Sequence, residues 1–327
     1  MSFVKLLRAP FTATTSRLLR PSFTTMTRSF SSFTITPTEL AAELQNPARS
    51  SRIIPVSAEW YLPNDPRKGY EEYTKARIPG ARFFDLDAIK DPHSPYPHML
   101  PDGETFAKAM GELGIARDDT VVVYDSPHVG IFSGPRAAWT FRVFGHVKVH
   151  LLNNFKVWVE KGFPVESGEV ERWEETNYPV VQPDRSIVVD FEEMVKRAQE
   201  GKKDGLVIVD ARPKGRFDGK DPEPRPGLPS GHIPGSISIP FSELVDPTTK
   251  TLKSAEKLQK LFAGKGIDSS PNTEKILMCG TGVTAVVVNS ALELAGVKGK
   301  LRVYDGSWTE WAQRVDEKSG LIVKTPQ

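Results

Sequence analysis

One tetrapeptide pattern occurs twice in this chain, as Arg77-Ile78-Pro79-Gly80 and again 155 residues later as His232-Ile233-Pro234-Gly235. Other landmarks repeat in the same order. The apolar run Thr120–Tyr124 ends at Asp125, and Lys275–Met278 ends at Cys279, 154 residues on. Val56 and Val209 are 153 apart, as are Trp158 and Trp311. Constant spacing of ordered landmarks is the mark of a tandem duplication. A period close to a whole domain makes it a pair of domains, not a solenoid.

Each copy alternates short apolar runs with helical patterns. In the second copy, Leu206–Val209, Ser236–Ile239, Lys275–Met278 and Leu301–Tyr304 read as strands. Ser254–Phe262 reads as a helix with Leu258, Leu261 and Phe262 on one side, and Val283–Leu294 as an apolar helix stopped by Gly296. Continuous β-branched runs between helices predict an α/β fold, with a parallel sheet covered by helices on both faces. The expected division is a first domain at 36–165, a polar linker at 166–185 carrying Pro179 and Pro183, and a second domain at 186–320.

Charge is nearly balanced over the 327 residues, with 43 Lys+Arg against 41 Asp+Glu. That excludes a strong global pull towards nucleic acid or an anionic membrane, and no apolar run is long enough to span a bilayer. The balance is uneven at the start. Residues 1–33 hold Lys5, Arg8, Arg17, Arg20 and Arg28, many Ser and Thr, and no acid. A basic, Ser-rich, acid-free leader reads as a mitochondrial transit peptide, which predicts a matrix location. Met26 offers a second start that would yield a cytosolic form.

Cys279 is the only cysteine, which excludes an internal disulfide and a cysteine-rich metal site. A lone cysteine is more often a small buried side chain than a nucleophile, so its setting has to make the case. It ends a strand and is followed by Gly280-Thr281-Gly282-Val283-Thr284 and a helix. A tight glycine-bearing loop before a helix turns several N–H groups inward and makes an anion-binding nest. Such a nest would stabilise a thiolate below its free pKa of about 8.5, and a persulfide equally. The first copy has Asp125 at the matching place, so the fold does not itself need a thiol there.

Several segments carry a specific resemblance: Cys279–Ala285, Gly231–Gly235, Gly215–Gly227, Phe83–Asp87 and Tyr304–Trp311. Over roughly residues 36–320 the chain resembles the tandem-domain sulfurtransferases of the rhodanese superfamily, and most of all the branch that uses 3-mercaptopyruvate. The resemblance implies two rhodanese-like domains, the first a non-catalytic copy. It implies sulfur transfer through a persulfide on Cys279, with the loop residues Gly280, Gly282, Val283 and Thr284 around the substrate. Thiosulfate-preferring members carry Arg-Lys after the cysteine, where this chain has the neutral pair Gly280-Thr281. The mercaptopyruvate branch grips its substrate with two arginines, which carry over onto Arg216 and Arg225. Guanidinium suits a carboxylate because it is always charged and forms a planar fork. A hydroxyl–histidine–aspartate relay carries over onto Thr281, His98 and Asp87. Threonine stands where the relay usually has serine; it keeps the hydroxyl, and its methyl group stiffens χ1. His93 and Asp85 are the neighbouring alternatives to His98 and Asp87.

The reaction so implied needs no metal and no organic cofactor. Its partners would be a small-molecule sulfur donor and a thiophilic acceptor: a thiol, thioredoxin or cyanide. A monomer is expected, with no direct binding of nucleic acid. Three competing readings keep Cys279 at the centre. Thiosulfate could be the donor, or the chain could be a sulfur-relay carrier for tRNA or cofactor thiolation. A cysteine phosphatase would need an arginine six residues after the cysteine, where this chain has Ala285.

Overall fold

The computed structural model describes residues 30–326 apart from 171 and 202. The leader up to residue 29, with Met26, lies outside the described residues. The strands form two five-stranded, all-parallel sheets. In the first, β1 (Thr34–Ile35), β5 (Val149–Leu152), β4 (Thr120–Tyr124), β2 (Ile53–Ser57) and β3 (Arg82–Phe83) lie side by side in that order. The second repeats it with β6 (Val188–Val189), β10 (Leu301–Tyr304), β9 (Glu274–Met278), β7 (Leu206–Asp210) and β8 (Ile237–Ser238). The registers repeat as well: Val56 pairs with Val123, and Val209 with Leu277.

Side chains on a strand alternate between faces, and both faces are buried here. On β4, Val121 and Val123 pack with α3 (Gly103–Glu112) and α4 (Gly134–Val143). Val122 and Tyr124 pack on the other side with α1 (Pro37–Gln45), α2 (Gly69–Lys75) and α5 (Phe155–Glu160). In the second unit, Leu277 packs with α8 (Ala255–Gly264) and α9 (Ala285–Leu294). Ile276 and Met278 pack with α6 (Phe191–Glu200) and α10 (Ser307–Arg314). Two-sided burial explains the unbroken apolar runs. Trp158 and Trp311 fill matching places, on the helix after the last strand of each sheet, and both are buried.

Boundaries differ from the expectation at three points. Phe30 meets His150 edge-on, and Phe33 lies beneath the Arg142 guanidinium, so residues 30–33 belong to the folded first unit. Basic and Ser-rich composition cannot mark where such apolar side chains begin to bury. The connecting segment 166–185 is laid along the first unit. Glu166 pairs with Arg77, the Trp173 ring lies under the Arg82 guanidinium, and buried Tyr178 meets His146 through its hydroxyl (2.9 Å). The helix after Cys279 begins at Ala285 rather than Val283, with residues 280–284 forming the loop.

The two units share one apolar core through α4 and α9, which pack against each other. From Ala285 to Leu292 every residue of α9 is buried. A helix apolar on all sides has to be covered all round, here by its own sheet and by α4. Arg142 on α4 also pairs with Glu293 on α9 at 2.8 Å.

Candidate active site

Parallel sheets place their ligand sites beyond the carboxyl ends of the strands. Cys279 lies at that end of β9, the central strand of the second sheet, and is buried. The loop after it is held from behind by α10 and the turn before it. Ser307 Oγ accepts from the Cys279 N–H (3.1 Å), and the Trp308 N–H donates to the Cys279 carbonyl (2.9 Å). The N–H and hydroxyl of Thr309 both donate to the Gly280 carbonyl, at 2.9 and 2.7 Å.

In a planar trans peptide the C=O and the following N–H point in opposite directions. The Cys279 and Gly280 carbonyls are directed back towards α10, so the Gly280 and Thr281 amides face away from it. Among the described residues no acceptor is bonded to the N–H groups of Gly280, Thr281, Gly282 or Val283. Gly282 has φ +73°, and a β-carbon there would come within 2.7 Å of the Asp305 carbonyl, so only glycine fits. At Gly280 a β-carbon would meet nothing within 4 Å.

The first copy has the same strand end with a different side chain. The buried Asp125 carboxylate accepts from the N–H groups of Phe132, Ser133 and Gly134 (2.9, 3.0 and 2.6 Å) and from the Ser133 hydroxyl (2.8 Å). There the loop closes around an anion supplied by the chain itself.

Residues from the first unit reach the cysteine loop. His98 Nδ1 is 3.1 Å from Thr281 Oγ1, and its Nε2 is 3.1 Å from Asp87 Oδ1. The Asp87 carboxylate also accepts from the Trp60 indole N–H at 2.7 Å. The bond from His98 holds Asp87 below the ordinary carboxylate range, against the opposing effect of burial. Burial holds the His98 imidazole below its ordinary value, opposed by Asp87. A neutral imidazole that donates from Nε2 to a carboxylate has to accept at Nδ1, so the network assigns Thr281 as donor to His98. His93 and Asp85 stay outside this chain of bonds: Asp85 accepts from the Asp87 and Ala88 N–H groups, and the His93 N–H donates to Asp91.

Arg216 lies on the short helix α7 (Lys214–Phe217), and Arg225 in the loop that follows. Neither guanidinium has a hydrogen-bond or ion-pair partner among the described residues. Burial depresses the Arg225 pKa, and the nearby charges of Glu223, Cys279 and Asp87 oppose this. The loop is pinned by Arg212, which bonds Asp210 (2.5 Å), Glu223 (2.7 Å) and the Gly231 carbonyl (2.6 Å) over the face of Trp308. The Asp210 and Glu223 carboxylates are thus held by Arg212, and Arg216 and Arg225 remain available to an anion.

Val283 is buried beside the loop, and Thr284 caps α9 without a side-chain bond. Sequence reasoning missed Trp60, Arg136 and Asp305. Arg136 had one visible signal, a charge inside the apolar run Pro135–Trp139. Trp60 had none, and Asp305 lay within the resembling segment Tyr304–Trp311 with no role attached to it. Among the described residues no group of His, Cys, Asp or Glu is arranged to hold a metal ion, and no helix is long and apolar enough to cross a membrane.

Known proteins share the sequence and fold of this chain. A rhodanese-like domain model matches residues 191–314. The thiosulfate sulfurtransferase TUM1 of Saccharomyces cerevisiae is 46% identical over 275 residues, covering 80% of this chain and 88% of the relative. A probable 3-mercaptopyruvate sulfurtransferase of Schizosaccharomyces pombe is 41% identical, covering 85% and 92%. The sub-stoichiometric sulfur transferase subunit of yeast mitochondrial complex I superimposes with a TM-score of 0.80 at 41% identity, over 90% of this chain and all of that one.

Proposed function

The chain belongs to the tandem-domain rhodanese sulfurtransferases, and on that premise we propose that it takes sulfur from 3-mercaptopyruvate onto Cys279 and passes it to a thiophilic acceptor. Arg216 and Arg225 hold the substrate by its carboxylate and keto oxygen. The Cys279 thiolate attacks the substrate sulfur, and the carbon–sulfur bond breaks. The carbon fragment leaves as the enolate of pyruvate and takes up a proton. The Thr281–His98–Asp87 relay carries that proton: the substrate thiol gives it up through the Thr281 hydroxyl to neutral His98, Asp87 steadies the imidazolium, and the relay returns it to the enolate carbon. The loop N–H groups of residues 280–283 then stabilise the Cys279 persulfide anion. A thiolate, thioredoxin or cyanide attacks the outer sulfur and restores the Cys279 thiolate.

The observation that carries this reading is the pair of matching loops. One wraps its amides around the Asp125 carboxylate, and the other offers its amides beside Cys279 with no acceptor among the described residues. That is the electrostatics a sulfur anion needs. The neutral residues after Cys279 favour mercaptopyruvate over the dianion thiosulfate. Thiosulfate is the second donor to weigh, because a relative at 46% identity is named for it. Comparison of kcat/KM for the two donors decides: a higher value with thiosulfate would reverse the assignment.

The yeast neighbour is named as mitochondrial. The basic leader ahead of residue 30 acts as the transit segment in the same reading, with import into the matrix and a shorter cytosolic form begun at Met26. N-terminal sequencing of protein from the two compartments tests this. The working unit is the monomer, since each site draws both its halves from one chain; sedimentation of the active enzyme tests that.

A further inference from the structure

We infer that Arg136, supplied by the non-catalytic copy, is a positioning residue for sulfur transfer, fixing the His98 imidazole against Thr281 by binding backbone carbonyls on both sides of the boundary between the units. The inference rests on the proposed relay. Arg136 lies in the first turn of α4 and is 1% exposed. One terminal nitrogen, Nη2, donates to the His98 carbonyl at 2.5 Å and to Asp305 Oδ1 at 2.6 Å. The other, Nη1, donates to the Gly282 carbonyl at 3.2 Å. One guanidinium therefore joins the relay histidine, the cysteine loop and the turn after β10.

The far side of the histidine is tied to the same ion pair. Asp305 Oδ2 accepts from the Leu100 N–H at 2.9 Å, so segment 98–100 is held at both ends. His98 has φ +63°, a left-handed conformation that a β-carbon disfavours. Such a conformation persists only where the surroundings impose it, and the Arg136 bond to the His98 carbonyl is the imposing contact. Lysine could not do the same, because a single nitrogen lacks the planar fork that reaches three acceptors. Gly282 completes the fit: a β-carbon there would lie 2.6 Å from Arg136 Nη1. A buried ion pair is weak ground for stability, which leaves placement as the pair's use. Without the first unit's arginine, the His98 and Gly282 carbonyls would lose the guanidinium that binds both.

A double-mutant cycle on kcat with mercaptopyruvate separates positioning from general support. We expect R136K to lower kcat by about 10- to 100-fold with little change in KM. T281V removes the hydroxyl through which His98 acts, so R136K should cost nothing further in the T281V background. Wild-type kcat in R136K, or losses that add in the double mutant, would overturn the inference. Wild-type kcat in T281V would remove the relay itself, and the inference with it. If R136K does not fold, D305N, which keeps the shape of the pair, enters the same cycle under the same criteria.

Discussion

Asp125 and Cys279 stand at the same place in two copies of one sheet, each at the carboxyl end of its central strand. The carboxylate is wrapped by three N–H groups and a hydroxyl of its own loop. The thiol lies beside a loop whose amides face no acceptor among the described residues. Duplication has left one nest that closes on itself and one that is open to a sulfur anion.

Asp125 is therefore a structural residue. Asp125→Ala strands buried donors, which costs about 1–3 kcal/mol, and should lower the midpoint of denaturant unfolding. Activity per folded molecule should stay within about 2-fold, because Asp125 touches no part of the relay or the arginine pair. A large loss of kcat with unchanged stability would place Asp125 in the chemistry.

Arg216 and Arg225 should act on binding. Replacing either with alanine removes a charge-assisted contact to the carboxylate, about 1.5–3 kcal/mol, and should raise the KM for mercaptopyruvate by roughly 10- to 100-fold. Unchanged steady-state constants in both variants would put the substrate elsewhere.

The pH profile should carry the mark of His98. Its pKa lies below the ordinary 6.5 because burial disfavours the imidazolium. The neutral form accepts the Thr281 proton, so activity is lost as pH falls through that lowered value. The acid limb of kcat/KM is expected below pH 6.5 and absent from the T281V enzyme. A limb that survives in T281V belongs to another group.

Glu59 predicts a stability effect remote from catalysis. It is buried, one carboxyl oxygen has no partner among the described residues, and burial, with Asp125 nearby, pushes it up to about 8 from 4.5. The folded protein keeps this proton while the unfolded chain has released it, so stability falls as pH rises from 4.5 towards 8. Glu59→Gln should stabilise by roughly 2–4 kcal/mol at pH 8, and the gain should vanish towards pH 5. Equal melting temperatures at pH 8 would refute the shift.

The duplication and the central strands were legible because strands buried on both faces leave unbroken apolar runs, as in Thr120–Tyr124 and Lys275–Met278. The edge strand β6 was not, since two valines carry no periodicity. The helix Ser307–Arg314 was hidden by its mixed composition. Cys279 and its loop stood out by local chemistry. His98 and Asp87 came only from family resemblance, because nothing local joins residues 11 and 183 positions from their partners. Trp60, Arg136 and Asp305 belong to contacts between distant segments, and a buried arginine is spelled like an exposed one.

Mass spectrometry of the enzyme after brief exposure to mercaptopyruvate tests the central claim most directly. One added sulfur atom should appear on the peptide containing Cys279, disappear on treatment with cyanide, and be absent from the C279S protein, which should not turn over. Sulfur transfer at a normal rate by C279S, with no sulfur gained on the wild-type peptide, would contradict it.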